Sequence, residues 1–254
     1  MIDIYGYLVY TINLISNSVY GKYFILKGGS ALVSKMIENN RKDLYRLTSD
    51  IDIHCNSWDI WANFCRDIIP ILNSNDRGYH YTLVKRRVDT KPSTTADSLK
   101  FNLITPQEQS IDFKMDMNVK SNSIITVDYS PILKMNIYSK YTMLVDKISV
   151  VSSRSIFRRI KDFYDLGVLI SLYDFDLNTI RKHFGIKNPN AKLVNMLVKN
   201  NFDNINHAYS KYQGILNKPN ILVLWSYCET FLRPIYEGKE NLIWNHITGT
   251  WTSI

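Results

Sequence analysis

Asp50 and Asp52 stand two residues apart in Thr48-Ser49-Asp50-Ile51-Asp52-Ile53, an alternating polar and apolar run that suits a β-strand. On a strand, carboxylates at i and i+2 share one face, and Ile51 and Ile53 take the other. Neighbouring carboxylates repel, and a divalent cation between them relieves the repulsion. Gly28-Gly29-Ser30 lies upstream, after the apolar stretch ending at Lys27 and before Ala31-Leu32-Val33, where a helical pattern begins. A tight glycine turn lets backbone approach a phosphate, and the free N–H groups of a first helical turn favour an anion. A phosphate-friendly turn leading to a two-Asp metal holder describes a site for a metal-bound nucleoside triphosphate. Each part alone has an ordinary alternative. Gly-Gly-Ser is also a plain helix-entry turn, and Asp-Ile-Asp is also a solvated strand face.

Further chemistry-bearing residues follow. In the run Ile111–Val119, Asp112, Lys114 and Asp116 face one way and Ile111, Phe113, Met115 and Met117 the other. Asp112 and Asp116 are roughly 13 Å apart along a strand, so one metal cannot use both. Between Tyr141 and Tyr173, Lys147, Arg154, Arg158, Asp162 and Asp165 would line one stripe of a continuous helix, and a break around Ser152–Ser155 would split it in two. A salt-bridged surface helix is the alternative there. The triplet Lys85-Arg86-Arg87 is either soluble surface or a nucleic-acid backbone contact.

Gly-Ser followed by Asp-x-Asp resembles the signature of the nucleotidyltransferase superfamily. Ser30 and Asp50 are 20 residues apart, longer than the commonest spacing there. The arrival Arg46-x-Thr48-x-Asp50-x-Asp52 resembles the AbiEii/MenT-like toxins of type IV toxin–antitoxin systems, which carry such a gap. Their second signature matches Asp146-Lys147, Ser153-Arg154 and Lys161-Asp162-Phe163-Tyr164-Asp165-Leu166. The resemblance covers roughly residues 24–169. It implies that Asp50 and Asp52 hold one or two Mg²⁺ (or Mn²⁺) ions with a third carboxylate. That carboxylate is Asp116, since Met115-Asp116-Met117 is similar to the family's apolar-Asp-apolar strand, with Asp112 in reserve. It further implies that Gly28, Gly29 and Ser30 cradle the β/γ-phosphates and that Lys147 supplies a point charge to the triphosphate. Asp162 and Asp165 then orient Lys147 or the nucleotide, and Arg154 and Arg158 contact nucleotide or acceptor.

Periodicity supplies the elements that carry these residues. Residues 2–20 read as an amphipathic helix, and Ser57–Leu72 as a helix ending near Pro70 whose aromatic stripe is core rather than a base-stacking platform. Tyr79–Val88 reads as a strand, Asp89–Ser98 as a flexible loop, and Leu99–Ile104 with Ile111–Val119 as a hairpin. Residues 121–140 read as a connection with a short edge strand. Helices are predicted over Leu177–Phe184, Ala191–Val198, Ile205–Leu216 and Ile221–Tyr236, and Trp244–Ile254 is uninformative.

The 254 residues suffice for two modest domains, and 45% apolar with 21% charged content is ordinary for a globular protein. The net charge of +8 makes a polyanionic partner reasonable. It is spread, with 17 Lys/Arg against 14 Asp/Glu in residues 1–145 and 14 against 9 in residues 146–254. Cys55, Cys65 and Cys228 match no zinc spacing and read as reduced thiols. The start lacks a secretory signal and no apolar run reaches membrane-spanning length, so a cytoplasmic protein without membrane contact is expected.

The expected fold is an α/β (α+β) nucleotidyltransferase-like mixed sheet with flanking helices over residues 1–140. An all-helical C-terminal half over residues 141–254 is expected to close the cleft. By resemblance, the expected activity moves an NMP from an NTP to an acceptor hydroxyl, the 3′ end of tRNA, as a growth-inhibiting toxin with a separate antitoxin as partner. Alternatives are a small-molecule (antibiotic-type) nucleotidyltransferase, a non-catalytic NTP- or RNA-binding module, and a kinase-like phosphoryl transfer.

Overall fold

The computed structural model describes residues 4–91, 94–119, 126–153, 156–187 and 202–254. The chain forms two compact units. The first comprises Met1–Glu38, Leu47–Ser123 and Val127–Tyr138; the second comprises Asn39–Arg46, Ile124–Thr126 and Ser139–Ile254.

In the first unit, α1 (Ile4–Ser16), β1 (Phe24–Lys27), α2 (Gly28–Glu38), β2 (Asp50–Cys55) and α3 (Trp58–Asn73) come first. They are followed by β3 (His80–Lys91), β4 (Thr94–Ile104), β5 (Ser110–Val119), β6 (Val127–Ser130) and β7 (Met135–Tyr138). The seven strands form one mixed sheet in the order β3-β4-β5-β2-β1-β7-β6. β2 is parallel to β5 and β1 to β7; the other pairings are antiparallel. Strict alternation sends Ile51, Ile53, Leu99, Phe101, Met115 and Met117 to one buried face. The helices pack on this side, where Phe24 of β1 meets Trp61 and Phe64 of α3 edge-on. The opposite face carries the charged residues.

Three local expectations for this unit are corrected. Most of the loop expected over 89–98 is strand: β3 runs to Lys91 and β4 begins at Thr94, with Pro92 and Ser93 outside the described residues. α3 continues through Pro70 to Asn73, because the buried Ile68 and Leu72 keep its last turn on the sheet. The 121–140 connection supplies an interior strand besides the edge one: β7 buries Met135 and Ile137 and pairs with β1.

The second unit contains α4 (Lys140–Ser153), α5 (Ile160–Leu172), α6 (Leu177–Lys187), α7 (Phe202–Lys211) and α8 (Ile221–Tyr236). The helix expected over 191–198 lies outside the described residues. This half is not all-helical. β8 (Phe175–Asp176), β9 (Leu242–Asn245) and β10 (Thr250–Ser253) form an antiparallel sheet in the order β10-β9-β8. Trp244 explains it: its ring is fully buried, packs edge-on against Tyr227 and Phe231, and donates its N–H to the Ile170 carbonyl at 2.7 Å. Among the described residues, no helix is long and apolar enough to cross a membrane.

Candidate active site

Asp50 and Asp52 sit on β2, the fourth strand of the seven, and the register fixes their neighbours. Asp52 is directly opposite Asp116 of β5 on one side and Lys27 of β1 on the other, while Asp50 is opposite Lys114. Directly opposed residues share a face. Asp50, Asp52 and Asp116 therefore lie on one wall of a cleft of ≈ 720 Å³, which Asp112, Lys114, Lys100, Lys85 and Arg87 also line. Asp112 is farther along β5, opposite Asn102, and is paired with Lys100 at 2.8 Å. Its bonds to Lys100 and Asn102 lower its pKa.

The glycine turn meets the carboxylates directly. Gly28 opens α2 in the left-handed region at φ 64°, and a Cβ there would overlap the Asp52 carboxylate. The turn thus needs glycine twice, for its backbone and for the approach of Asp52. Ser30 is fully buried and donates its hydroxyl to the Asp50 main-chain carbonyl at 2.8 Å. Ser30 ties the turn to β2, which leaves anion binding at this end to backbone N–H groups.

Behind Asp52 lies a polar pair that sequence reading passed over. His54 shares the face of Asp50 and Asp52; it is buried, 2.7 Å from the Asn56 side-chain oxygen and 3.4 Å from the Tyr138 hydroxyl. Burial, and then the Asp52 charge, push the Tyr138 phenol above its ordinary pKa. An i, i+2, i+4 series Asp50-Asp52-His54 was the available signal.

Three hard-oxygen donors on adjacent strands fit a divalent cation in type and register. As oriented, their side chains are not gathered: Lys114 holds Asp116 at 2.6 Å, and among the described residues no three His, Cys, Asp or Glu form a metal-holding group. Lys114 therefore occupies the place at Asp116 that a cation would take.

Of the basic triplet, Lys85 and Arg87 line the cleft. Arg86 points to the other face and pairs with the buried Asp97 at 2.7 Å.

In the second unit, α4 ends at Ser153 and a single turn over Ile156–Arg158 precedes α5, so the polar stripe is split. Lys147, Asp162 and Asp165 still meet, because α4 and α5 pack together. The Lys147 ammonium donates to Asp162 at 2.8 Å and to Asp165 at 2.6 Å. Asp165, fully buried, also takes Arg46 through Nε at 2.5 Å and Nη2 at 2.8 Å, and Asp162 takes Arg159 at 2.6 Å. An alternating chain results: Arg46, Asp165, Lys147, Asp162, Arg159. Burial works against the Arg46 and Lys147 charges, but Asp165 and Asp162 together outweigh it and both pKa values are raised. Burial alone would raise the Asp165 pKa, whereas Arg46 and Lys147 hold it down to about 2. Arg158 is exposed beside the Phe157 ring, and Arg154 lies outside the described residues. Arg46 and Arg159, which the sequence reading did not single out as partners, pair with Asp165 and Asp162; the Arg-x-Thr arrival was the signal for Arg46.

A family model described as nucleotidyl transferase AbiEii toxin, type IV TA system, matches residues 12–216. The chain belongs to this family. The family is described as one of nucleotidyl transferase toxins of type IV TA systems. No protein of curated function matches the chain in sequence. Among solved structures it is similar to the Megavirus polyadenylate synthase, at 18% identity and a TM-score of 0.44, over 66% of this chain. That likeness spans 32%, about a third, of the synthase. It is also similar to an antigenic nucleotidyltransferase-like protein from Paracoccidioides brasiliensis, at 13% identity and a TM-score of 0.40, over 77% of this chain and 96% of that one.

Gly28→Ala tests the close approach in this AbiEii-family site. The added methyl must displace Asp52, and a misplacement of that order lowers transfer about 100-fold. The positive φ should also destabilise the fold by about 1 kcal/mol or more. Transfer rates and thermal melts of the variant check both.

Proposed function

We propose that this protein transfers a nucleoside monophosphate from an NTP to the 3′ hydroxyl of a tRNA, and that this modification arrests growth. The observation that carries the reading is the opposition of Asp52 and Asp116, with Asp50 on the same wall, beneath the Gly28 turn. Asp50, Asp52 and Asp116 would hold Mg²⁺ or Mn²⁺, which when bound neutralises triphosphate charge and activates the attacking hydroxyl. The backbone N–H groups of Gly28, Gly29 and Ser30 receive the phosphates of the donor. Asp116 accepts the proton of the acceptor hydroxyl, for which Lys114 must release it. The acceptor oxygen bonds to the α-phosphorus, the bond from that phosphorus to the bridging oxygen breaks, and pyrophosphate leaves. Lys147, held by Asp162 and Asp165, is the residue that the family resemblance would give to the triphosphate. Arg158 offers a further cation to nucleotide or acceptor. A cognate antitoxin as a separate chain and a cytoplasmic setting complete the reading.

The test is incubation of purified protein with total tRNA, Mg²⁺ and each α-labelled NTP, followed by sizing of the products. Label on tRNA is expected. Transfer only from a γ-labelled NTP, or labelling only of a small molecule such as an aminoglycoside, would displace the proposal. Asp116→Asn and Asp112→Asn separate the two third-carboxylate candidates. The first should lower transfer by about 100-fold or more, in line with loss of a proton acceptor and metal ligand. The second should leave the rate within a few-fold.

A further inference from the structure

Three lysines stand side by side across the open face of the first unit. Lys85 of β3 is directly opposite Lys100 of β4, Lys100 is directly opposite Lys114 of β5, and the next residue in the row is Asp50 of β2. Like charges opposed across neighbouring strands destabilise a sheet. The ion pairs that relieve this row are Lys100 with Asp112 and Lys114 with Asp116, all with substantially exposed side chains. Exposed pairs of this kind contribute little and are readily exchanged for another anion.

β3 is built to present the row. A bulge at Val84 shifts the register, so that Leu83 opposes Phe101 but Lys85 opposes Lys100. With strict alternation Lys85 and Arg87 would face the helices, and only Arg86 would face the cleft. The extra residue turns Lys85 and Arg87 to the cleft and sends Arg86 to Asp97. That carboxylate is buried and also accepts the Trp61 indole N–H at 2.8 Å. A charge pair with one buried partner, Asp97, thus holds Arg86 on that side, and the bulge doubles the cations that β3 shows to the open face.

The two anion-attracting devices lie on opposite sides of Asp50 and Asp52. The Gly28 turn opens from β1 and the lysine row runs over β5, β4 and β3, in a sheet ordered β3-β4-β5-β2-β1. In-line displacement needs entering and leaving oxygens on opposite sides of the phosphorus. We propose that Lys85, Lys100 and Lys114, with Arg87 beside them, bind the phosphodiester backbone of a single-stranded nucleic acid whose 3′ end arrives at Asp116 from the β5 side. The row is one lysine wide and about 10 Å long, a track for one strand rather than a groove for two. Lysines on flexible stems suit sequence-independent contact with such a backbone. The proposal rests on the nucleotidyl-transfer reading only for the direction in which the strand points.

The test measures binding of a fluorescein-labelled single-stranded RNA 3′-hydroxyl oligonucleotide by anisotropy, without NTP, across a salt series. Lys85→Glu and Lys100→Glu are each expected to weaken binding by about tenfold and to flatten its salt dependence, by roughly 0.7 in slope per lost contact. Lys22→Glu, the same charge change on an exposed lysine away from the cleft, should stay within twofold, and NTP binding followed with a fluorescent analogue should be unchanged in all three. Lys100→Gln provides a milder variant should either reversal disturb folding. Wild-type-like binding by the Lys85 and Lys100 variants would overturn the proposal, as would no RNA binding by the wild type, or equal binding of a blunt RNA duplex with equal losses. If the wild type labels no RNA but both variants lose RNA binding, the track stands and the transfer reading falls. If both variants bind and label RNA normally, the transfer reading stands and the track falls.

Discussion

Asp52→Asn will lower transfer from an α-labelled NTP by about a thousandfold or more, with little change in thermal stability. The asparagine is isosteric, so the Gly28 contact survives and the β2–β5 register is kept. The charge between Asp50 and Asp116 disappears, which relieves repulsion in the unliganded protein. In the proposed reaction the same charge would hold the cation of the bound triphosphate, and electrostatic terms of that kind contribute several kcal/mol to the transition state, each 1.36 kcal/mol being tenfold in rate. A rate within tenfold of the wild type would remove Asp52 from the chemistry, and with it the reading of the cleft. A melt more than a few degrees lower would instead make Asp52 a folding residue.

Asp165→Asn will be the most damaging single change to the second unit. Asp165 is fully buried and answers two cations, Arg46 and Lys147. Breaking a buried pair by removing one partner typically costs about 3–5 kcal/mol. For a chain of this size that lowers Tm on the order of 10 °C. An unchanged Tm would mean that the chain of ion pairs does not hold α4, α5 and the 39–46 segment together. The pH dependence supplies a second reading. The folded pKa of about 2 lies below the ordinary value of 3.8. The unfolded chain therefore binds this proton first as pH falls. The contribution of Asp165 is fully present above roughly pH 5 and is lost progressively as pH falls through 4 towards 2. Wild-type stability should decline along that acid limb, and the Asp165→Asn variant should lack this part of it.

The elements with strong periodicity were readable before any coordinates. β2 with its two aspartates, the β4–β5 hairpin and the helix Ile221–Tyr236 follow from alternation or from 3.6-residue spacing over a sufficient length. β7 and the β9–β10 hairpin were not readable, because four-residue strands carry too little pattern, and pairing with β1 or with β8 comes from distant sequence. The extension of β3 to Lys91 and the early start of β4 at Thr94 were hidden by a local composition of Pro, Ser and Thr that signals a loop, whereas the strands there come from pairing. At the candidate site, residue types and strand faces were accessible; register was not. Nothing in the order of residues says that Asp116 rather than Asp112 opposes Asp52, or that Lys85, Lys100 and Lys114 form one row. The bulge at Val84 inverts the naive assignment of the basic triplet and turns Arg86 inward. Likewise the polar stripe from Lys147 to Asp165 could be listed, but one of the two partners of Asp165 is Arg46, 119 residues earlier.

That last feature bears on how the gene can be dissected. The stretch between the glycine turn and the aspartate strand is not a spacer, since residues 39–46 are a structural part of the second unit and Arg46 is one of its internal counter-ions. A fragment started at residue 139 would carry the described α-helices of that unit yet leave Asp165 short of its guanidinium, so it should express as an unstable polypeptide. Supplying a peptide of residues 39–46 in trans is the way to restore it. Trimming this segment towards the shorter spacing common elsewhere would inflict the same injury from the other end of the chain.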